Sequence, residues 1–161
     1  MNIEKLYGIY CQHPLVCTDS RSVSKDCLFF ALKGENFNGN SFALKALDAG
    51  AAFAVIDEPL RTEDSRLILV DNVLKMLQEL AKHHREQLKI PVIGITGSNG
   101  KTTTKELVKS VLGKKYQTYA TIGNLNNHIG VPLSLLAITK EIQMAVIEMG
   151  ANHPGEIAEL C

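Results

Sequence analysis

The feature that most constrains this chain is a glycine-rich segment between a predicted strand and a predicted helix. From residue 91 to residue 104 it runs Pro-Val-Ile-Gly-Ile-Thr-Gly-Ser-Asn-Gly-Lys-Thr-Thr-Thr. The apolar run Val92–Ile95 predicts a buried strand. After Lys101, apolar residues recur on one face of a predicted helix, at Leu107, Val108, Val111 and Leu112. This order of strand, glycine turn and helix is typical of a phosphate-binding loop.

The residue types of the segment suit the binding of phosphate. Glycines let backbone N–H groups turn toward an anion, and the start of a helix adds partial positive charge. Lys101 could contact the terminal phosphates, and the Thr102 hydroxyl could ligate Mg²⁺. The motif is a shortened form, because Ile95 stands where the strict pattern has glycine. A glycine-rich turn with an incidental lysine is the alternative interpretation.

Composition narrows the possible partners of the chain. Seventeen basic and seventeen acidic residues give a formal charge of zero, which disfavours nonspecific electrostatic binding to nucleic acid or to an anionic membrane. The first residues lack a signal-peptide pattern, and no apolar run reaches transmembrane length. The cysteines are Cys11, Cys17, Cys27 and Cys161, and they contain no C-x-x-C pair. Together with the missing signal peptide, this predicts reduced thiols in a cytoplasmic protein.

The order of predicted elements divides the chain into residues 1–88 and 89–161. Predicted strands cover 15–18, 27–32, 51–56, 67–70, 92–95, 116–121 and 144–147, and predicted helices cover 41–49, 72–88, 101–112, 130–138 and 154–160. This alternation predicts an α/β fold with parallel sheets covered on both faces. The second part contains only three predicted strands, too few for a complete sheet of this type. We therefore expect the sequence to be the front of a longer protein.

A carboxylate ends the last predicted strand. Met144-Ala-Val-Ile is followed by Glu148, and the carboxyl ends of parallel strands meet at the edge where ligands bind. Glu148 should therefore lie on the same edge as the phosphate loop, where it could hold Mg²⁺ directly or through water. The alternative is a carboxylate that ends a strand or caps nearby backbone.

Three polar loops could bind ligands or could be structural turns. Asn124-Leu-Asn-Asn-His128 could recognise hydroxyl, carbonyl or phosphate groups, or it could be a solvated turn. The Arg21 guanidinium of Asp19-Ser-Arg21 could contact an anion, or it could pair with Asp19. Phe37, in the glycine-bounded loop 34–40, could stack on a base or anchor its loop.

The histidines carry weaker predictions. His83 and His84 lie on the predicted helix 72–88 and should be structural. His153, in Gly150-Ala-Asn-His-Pro-Gly155, follows Glu148 closely. It could lie near the site or serve only a turn.

Together these segments resemble the Mur ligase family, which builds the peptide of bacterial peptidoglycan. Thr96 to Thr103 is similar to the family's ATP loop, and Asp19-Ser-Arg21 with Leu28-Phe-Phe-Ala-Leu-Lys-Gly34 is similar to its UDP-sugar-binding domain. The segments 123–133 and 148–155 are most similar to members that join D-alanyl-D-alanine to UDP-N-acetylmuramoyl-tripeptide. The resemblance covers essentially the whole chain.

The resemblance implies a role for each part of the chain. Residues 1–88 would bind the UDP-sugar acceptor, and residues 89–161 would be the first part of a P-loop ATP-binding domain. Lys101 and Glu148 would be catalytic, and Thr102 and Glu148 would serve Mg²⁺. ATP would be bound by Gly97, Ser98, Asn99, Gly100, Lys101, Thr102 and Thr103. The acceptor would be bound by Ser20 and Arg21 at its UDP end and by Asn124, Asn126 and Asn127 toward its muramoyl-peptide end.

The resemblance further implies a cytoplasmic and monomeric full-length ligase with small-molecule substrates. One departure from the family is Asn38-Gly-Asn40, where related sequences often have Asp-Gly-His. The family's modified lysine and its domain for the incoming amine are absent from these residues, so we expect the chain alone to be inactive. Alternatives are a ligase that adds one amino acid to the muramoyl peptide or glutamate to folate, a non-catalytic binding module for UDP-sugar or nucleotide, and an unrelated nucleotide switch.

Overall fold

The chain divides into two compact units, Met1–His83 and His84–Cys161. The computed structural model describes residues 1–151 and 154–160. The division falls within the helix Val73–Gln87, a few residues before the boundary predicted after residue 88. The binding roles predicted for residues 1–88 and 89–161 remain predictions.

The first unit is built on a parallel sheet of four strands. Its elements are α1 (Ile3–Gln12), β1 (Val16–Cys17), β2 (Leu28–Phe30), β3 (Lys33–Gly34), β4 (Phe37–Asn38), a 3-10 turn (Gly39–Phe42), α2 (Ala43–Asp48), β5 (Phe53–Ile56), β6 (Leu67–Leu69) and α3 (Val73–Gln87). The sheet has the order β1-β2-β5-β6, and every neighbouring pair is parallel. This confirms the α/β class predicted from the alternation of elements.

Three local features of the first unit differ from the sequence prediction. Helix α1 was not predicted, although Leu6 and Tyr10 form a buried face and Asn2 caps its start. Strands β3 and β4 form an antiparallel hairpin where an irregular loop was expected. The helix predicted from residue 41 begins as the 3-10 turn, because the Asn38 side chain accepts a hydrogen bond from Asn40 N–H and caps that turn.

The core of the first unit lies between α2 and the sheet. It is formed by buried apolar residues, namely Cys27, Phe29, Ala31, Ala43, Ala46, Leu47, Ala51, Ala54 and Ile56. Asn72 caps α3, since its side-chain oxygen accepts from the Lys75 N–H at 2.8 Å. The Cys17 and Cys27 thiols are hydrogen-bonded, with 2.8 Å between the sulfur atoms; Cys161 lies outside the described residues.

The second unit is a parallel sheet of three strands with helices between them. Its elements are β7 (Val92–Ile95), α4 (Lys101–Leu112), β8 (Thr118–Ala120), α5 (Gly130–Leu136), β9 (Met144–Glu148) and α6 (Glu156–Leu160). The order β7-β9-β8 puts the strand that ends in Glu148 at the centre. Ile95, the last residue of β7, pairs with Glu148. The loop after β7 therefore starts beside Glu148, as predicted.

The packing of α4 differs from the prediction. Leu107 and Val111 were expected on the packed face, but they are 63% and 72% exposed. The buried position is Lys105, which is 1% exposed. A periodic apolar pattern predicts the face of a helix on which apolar residues lie, but not which element packs against that face. In the part of the chain that the structure describes, nothing buries the Leu107 and Val111 side chains.

Two further predictions concern helices. His84 is buried and its Nε2 lies 3.0 Å from the Ile138 carbonyl oxygen, while the His83 ring packs edge-on against Tyr7; both histidines are structural, as predicted. Within the described residues, no helix combines the length and apolar character that a membrane crossing requires.

Candidate functional site

The glycine loop between β7 and α4 depends on two glycines with positive φ. Gly97 has φ +146° and Gly100, which directly precedes α4, has φ +75°. Residues with a side chain rarely adopt these backbone angles, so the turn favours glycine at both positions. The Lys101 ammonium donates a 2.6 Å hydrogen bond to the Gly97 carbonyl and thus lies against the loop. Ser98, Asn99, Thr102 and Thr103 are exposed around it.

Glu148 is the buried carboxylate of this edge of the sheet. It is 2% exposed, and its backbone N–H donates to the Thr121 hydroxyl at 2.9 Å. Its Oε1 accepts from the Asn126 side-chain amide at 2.9 Å. Its Oε2 is buried and, among the residues that the structure describes, has no hydrogen-bond partner. A buried carboxylate oxygen without a donor is an acceptor that a cation, or water held by a cation, would satisfy.

Lys105 brings a cationic side chain close to Glu148 Oε2. Its Nζ lies 3.7 Å from Glu148 Oε2 and donates to the Thr121 carbonyl at 2.7 Å. Its other carboxylate neighbour is the more exposed Glu106, at 3.2 Å. Sequence analysis missed Lys105, because a lysine inside an amphipathic helix normally faces water. Its position four residues after Lys101 was the only available signal.

The asparagine loop has a structural part in this arrangement. Besides binding Glu148, Asn126 accepts the Gly150 N–H at its backbone oxygen, at 2.7 Å. The Asn127 side chain accepts from the N–H groups of Ile129 and Gly130 at the start of α5. Asn124 is exposed. The side chains of two of the three asparagines predicted to face the acceptor, Asn126 and Asn127, thus make intramolecular hydrogen bonds, although Asn127 is exposed as Asn124 is.

Metal binding at this edge would depend on few protein ligands. In residues 1–151 and 154–160, no cluster of three or more His, Cys, Asp or Glu side chains could hold a metal ion. His153, which was predicted either near the site or in a turn, lies outside the described residues. Glu148 and Thr102 are compatible with Mg²⁺ only if other ligands come from substrate phosphates and water, as is usual for this ion.

The Asp19-Ser-Arg21 segment forms a closed turn. Arg21 donates to both carboxylate oxygens of Asp19, at 2.9 and 2.7 Å, and its backbone N–H donates to Asp19 as well. These hydrogen bonds lower the pKa of Asp19 to about 2. The Arg21 side chain is nevertheless 85% exposed, so its outer surface can still meet an anion.

A second Asp-Ser-Arg segment provides an internal comparison. Asp64-Ser65-Arg66 has the same hydrogen bonds, at 3.0 and 2.6 Å between the side chains and 2.9 Å from the Arg66 N–H. The turn is therefore what this tripeptide forms locally. Its geometry at Asp19 says nothing about a ligand; what distinguishes Arg21 is its surroundings.

Those surroundings are a cavity of about 560 Å³ in the first unit. Its lining combines polar side chains with aromatic rings. Its lining consists of Thr18, Asp19, Ser20, Arg21, Phe29, Phe37, Gly39, Phe42 and Lys45. Phe37 and Phe42 are 56% and 40% exposed. Two cations beside accessible aromatic rings can accommodate a ligand with anionic groups and a flat ring.

Asn38 and Asn40 anchor the hairpin that carries Phe37. Asn40 is 2% exposed; its amide donates to Asp57 Oδ1 at 2.9 Å and accepts the Asp57 N–H at 3.0 Å. Asn38 donates to Glu58 at 2.9 Å. Burial raises the pKa of Asp57, but hydrogen bonds from Lys33, Asn40 and the Val73 N–H, together with the Lys33 charge, leave that pKa below its usual value. Asn38 and Asn40, the two positions that depart from the Asp-Gly-His pattern, thus belong to a structural hydrogen-bond network.

Two family models match the chain and together cover most of it. One, described as Mur ligase family, catalytic domain, matches residues 14–85, and the other, described as Mur ligase middle domain, matches residues 95–161. The chain belongs to the Mur ligase family. This confirms the resemblance drawn from the phosphate loop and the Asp-Ser-Arg segment.

Individual members of the family are similar over nearly the whole chain. The UDP-N-acetylmuramoyl-tripeptide--D-alanyl-D-alanine ligase of Bacillus subtilis is 48% identical over 144 residues, which are 88% of this chain and 32% of that protein. A crystal structure of MurF from Acinetobacter baumannii is 42% identical with a TM-score of 0.83, and covers 90% of this chain and 32% of its own.

A third member was solved with a nucleotide. MurF ligase from Thermotoga maritima in complex with ADP is 36% identical with a TM-score of 0.81, over 91% of this chain and 34% of its own. This chain therefore spans about a third of the length of the relatives it matches.

Proposed function

We propose that this chain carries the acceptor-binding and phosphate-binding parts of an ATP-dependent amide ligase that joins D-alanyl-D-alanine to UDP-N-acetylmuramoyl-tripeptide. The observation that carries the proposal is the pairing of Ile95 with Glu148, which puts a buried carboxylate beside the start of the glycine loop that leads to Lys101. The similarity to ligases of this activity over 88% of the chain supports it. The complete reaction belongs to the longer proteins.

On the nucleotide side, the segment Gly97–Thr103 would bind ATP. The Lys101 ammonium would give up its hydrogen bond to the Gly97 carbonyl and contact the β- and γ-phosphates instead. Thr102 and Glu148 would hold Mg²⁺, which would neutralise phosphate charge when bound. The fit of Glu148 to this role is supported by its buried Oε2, to which no donor in residues 1–151 and 154–160 hydrogen-bonds.

On the acceptor side, Ser20 and Arg21 would bind the UDP part within the cavity of the first unit. The guanidinium edge that is not bonded to Asp19 would contact a phosphate. Phe37 or Phe42 would offer a surface to the uracil ring. Asn124 would contact the muramoyl-peptide end directly; Asn126 and Asn127, whose side chains bond within the chain, would act there through the shape of their loop.

The proposed reaction proceeds in two steps, through an acyl phosphate. An oxygen of the tripeptide carboxylate attacks the γ-phosphorus of ATP, so that the bond to the bridging oxygen breaks and ADP leaves. The amine of D-alanyl-D-alanine then attacks the acyl carbon of the acyl phosphate, releasing inorganic phosphate and a proton and forming the amide. The chain's contribution is to position the reactants and to neutralise phosphate charge. We assign the activity to the cytoplasm and to a monomeric full-length protein.

Two binding experiments on the purified chain test the two halves of the proposal. Calorimetric titration with UDP-N-acetylmuramoyl-tripeptide should show binding that weakens at least about tenfold in Arg21→Ala, the effect of losing a charged hydrogen bond. Arg66→Ala is the matched control, because Arg66 lies in the same tripeptide turn outside the cavity. Equal effects of the two substitutions, or no binding by the unchanged chain, would contradict the acceptor assignment.

The nucleotide half is tested with ATP and Mg²⁺. Lys101→Ala should weaken ATP binding, and Lys109→Ala, which alters an exposed lysine of the same helix, should not. Unchanged ATP binding in Lys101→Ala would leave the glycine loop as a structural turn only.

A further inference from the structure

Lys105 is the most deeply buried charged side chain among the residues that the structure describes. It is 1% exposed, although the other two lysines of its helix are accessible, Lys101 in part and Lys109 fully. Burying an ammonium is costly unless the charge is paired and its donors are used. A lysine in this place therefore needs a compensating partner.

Glu148 is the buried one of the two carboxylates near Lys105. Lys105 donates to the Thr121 carbonyl, and the same residue's hydroxyl accepts the Glu148 N–H. Thr121 thus contacts both members of the pair. Glu106 is closer to Lys105 than Glu148 is, at 3.2 against 3.7 Å. However, the Glu106 side chain is 56% exposed, so water screens its charge.

The two oxygens of Glu148 therefore have different neighbours. Oε1 accepts a hydrogen bond from Asn126, and Oε2 faces the Lys105 ammonium at a distance too long for a hydrogen bond. An ammonium at that distance attracts the carboxylate without occupying the lone pairs of the oxygen. Oε2 keeps its capacity to accept from a metal-bound water or a cation.

We infer that Lys105 is a positioning residue that holds the charged Glu148 carboxylate in place for Mg²⁺ beside the phosphate loop. The inference rests on the proposed function, because it assumes that Glu148 acts through the metal. Lys101 and Lys105 then divide two tasks one helical turn apart: Lys101 meets the phosphates, and Lys105 orients the carboxylate. Removing Lys105 would leave Glu148 as a buried, unpaired charge that relaxes away from this position.

The experiment measures how much Mg²⁺ strengthens ATP binding. For each variant of the purified chain, the dissociation constant of ATP is determined with EDTA and with excess MgCl₂, and their ratio is the Mg²⁺ gain. Lys105→Met, Glu148→Gln and the double variant are compared with the unchanged chain. Glu106→Gln and Lys109→Met are matched controls, which remove an exposed carboxylate beside Lys105 and an exposed lysine of α4.

We expect Lys105→Met to lower the Mg²⁺ gain at least about threefold, within the range of couplings between contacting residues. Adding Lys105→Met to Glu148→Gln should lower the gain no further, because the lysine acts through the carboxylate. Both controls should keep the full gain. A purely structural role for Lys105 would weaken ATP binding equally with and without Mg²⁺.

Each other outcome has a defined meaning. A full or increased gain in Lys105→Met, with a loss in Glu148→Gln, overturns the inference and leaves the proposed function intact. A full gain in Glu148→Gln, or no ATP binding by the unchanged chain, overturns the proposed metal role and the inference with it. If Lys105→Met fails to fold by circular dichroism, a folded double variant supports the pairing, and an unfolded one overturns it.

Discussion

Asn40 allows a quantitative test of what holds the cavity wall in place. Asn40→Ala removes a 2%-exposed side chain that makes three hydrogen bonds: to Asn38 Oδ1, to Asp57 Oδ1 and from the Asp57 N–H. The substitution leaves the Asp57 N–H without this acceptor. It also weakens the tie between strand β5 and the hairpin β3–β4, which carries Phe37.

The expected loss of stability follows from these contacts. Three hydrogen bonds with net values of about 0.5–1.5 kcal/mol each, one of them to a charged group, predict a decrease of about 2–4 kcal/mol in the free energy of unfolding. That is a large part of the roughly 5–15 kcal/mol typical of a domain. Acceptor binding should weaken as well, because the hairpin forms one wall of the cavity.

Urea unfolding of the chain, followed by circular dichroism, measures the difference. Asn36→Ala is the matched control, because Asn36 is exposed in the turn of the same hairpin and should change stability by less than about 0.5 kcal/mol. A loss below about 1 kcal/mol in Asn40→Ala, close to that of the control, would refute the argument that this network anchors the hairpin.

Three further predictions follow from the site. In a full-length enzyme containing this chain, Lys101→Ala should lower ligase turnover at least about a hundredfold, as expected for the loss of one preorganised charge donor; near-normal turnover would remove Lys101 from the catalytic residues. The chain alone, given ATP, Mg²⁺ and both substrates, should release phosphate only at the background rate, and phosphate release with ligated product would disprove this. Gly130→Ala should destabilise the second unit by about 1–3 kcal/mol, because a Cβ there would lie 2.4 Å from the Leu125 backbone; an unchanged urea midpoint would show that the loop can shift.

Much of the candidate site was predictable because it depends on local patterns and on one rule of sheet geometry. Glycines before a helix identify the loop, and the carboxyl ends of parallel strands share an edge. These two facts predicted Glu148 beside the loop, and the register of β7 and β9 confirms that position. The roles assigned to the individual side chains remain predictions.

Other local patterns carried less information than expected. The Asp-Ser-Arg tripeptide forms the same turn at Asp19 and at Asp64, so the motif specifies its own geometry in both places. Conversely, the start of the chain carries a clear helix signal. Ile3, Leu6, Tyr7 and Tyr10 follow helical spacing after the capping residue Asn2.

The sequence by itself determined the α/β class, the glycine loop and the edge of the sheet at which Glu148 lies, because these depend on short-range periodicity and glycine conformation. Only the tertiary structure decided which polar groups meet. Asn126 reaches Glu148 across 22 residues, and Asn40 reaches Asp57 across 17. The burial of Lys105 depends on the strand and loop packed against α4. Hydrogen bonds and ion pairs act over a few ångströms in space, and separation along the chain does not predict them.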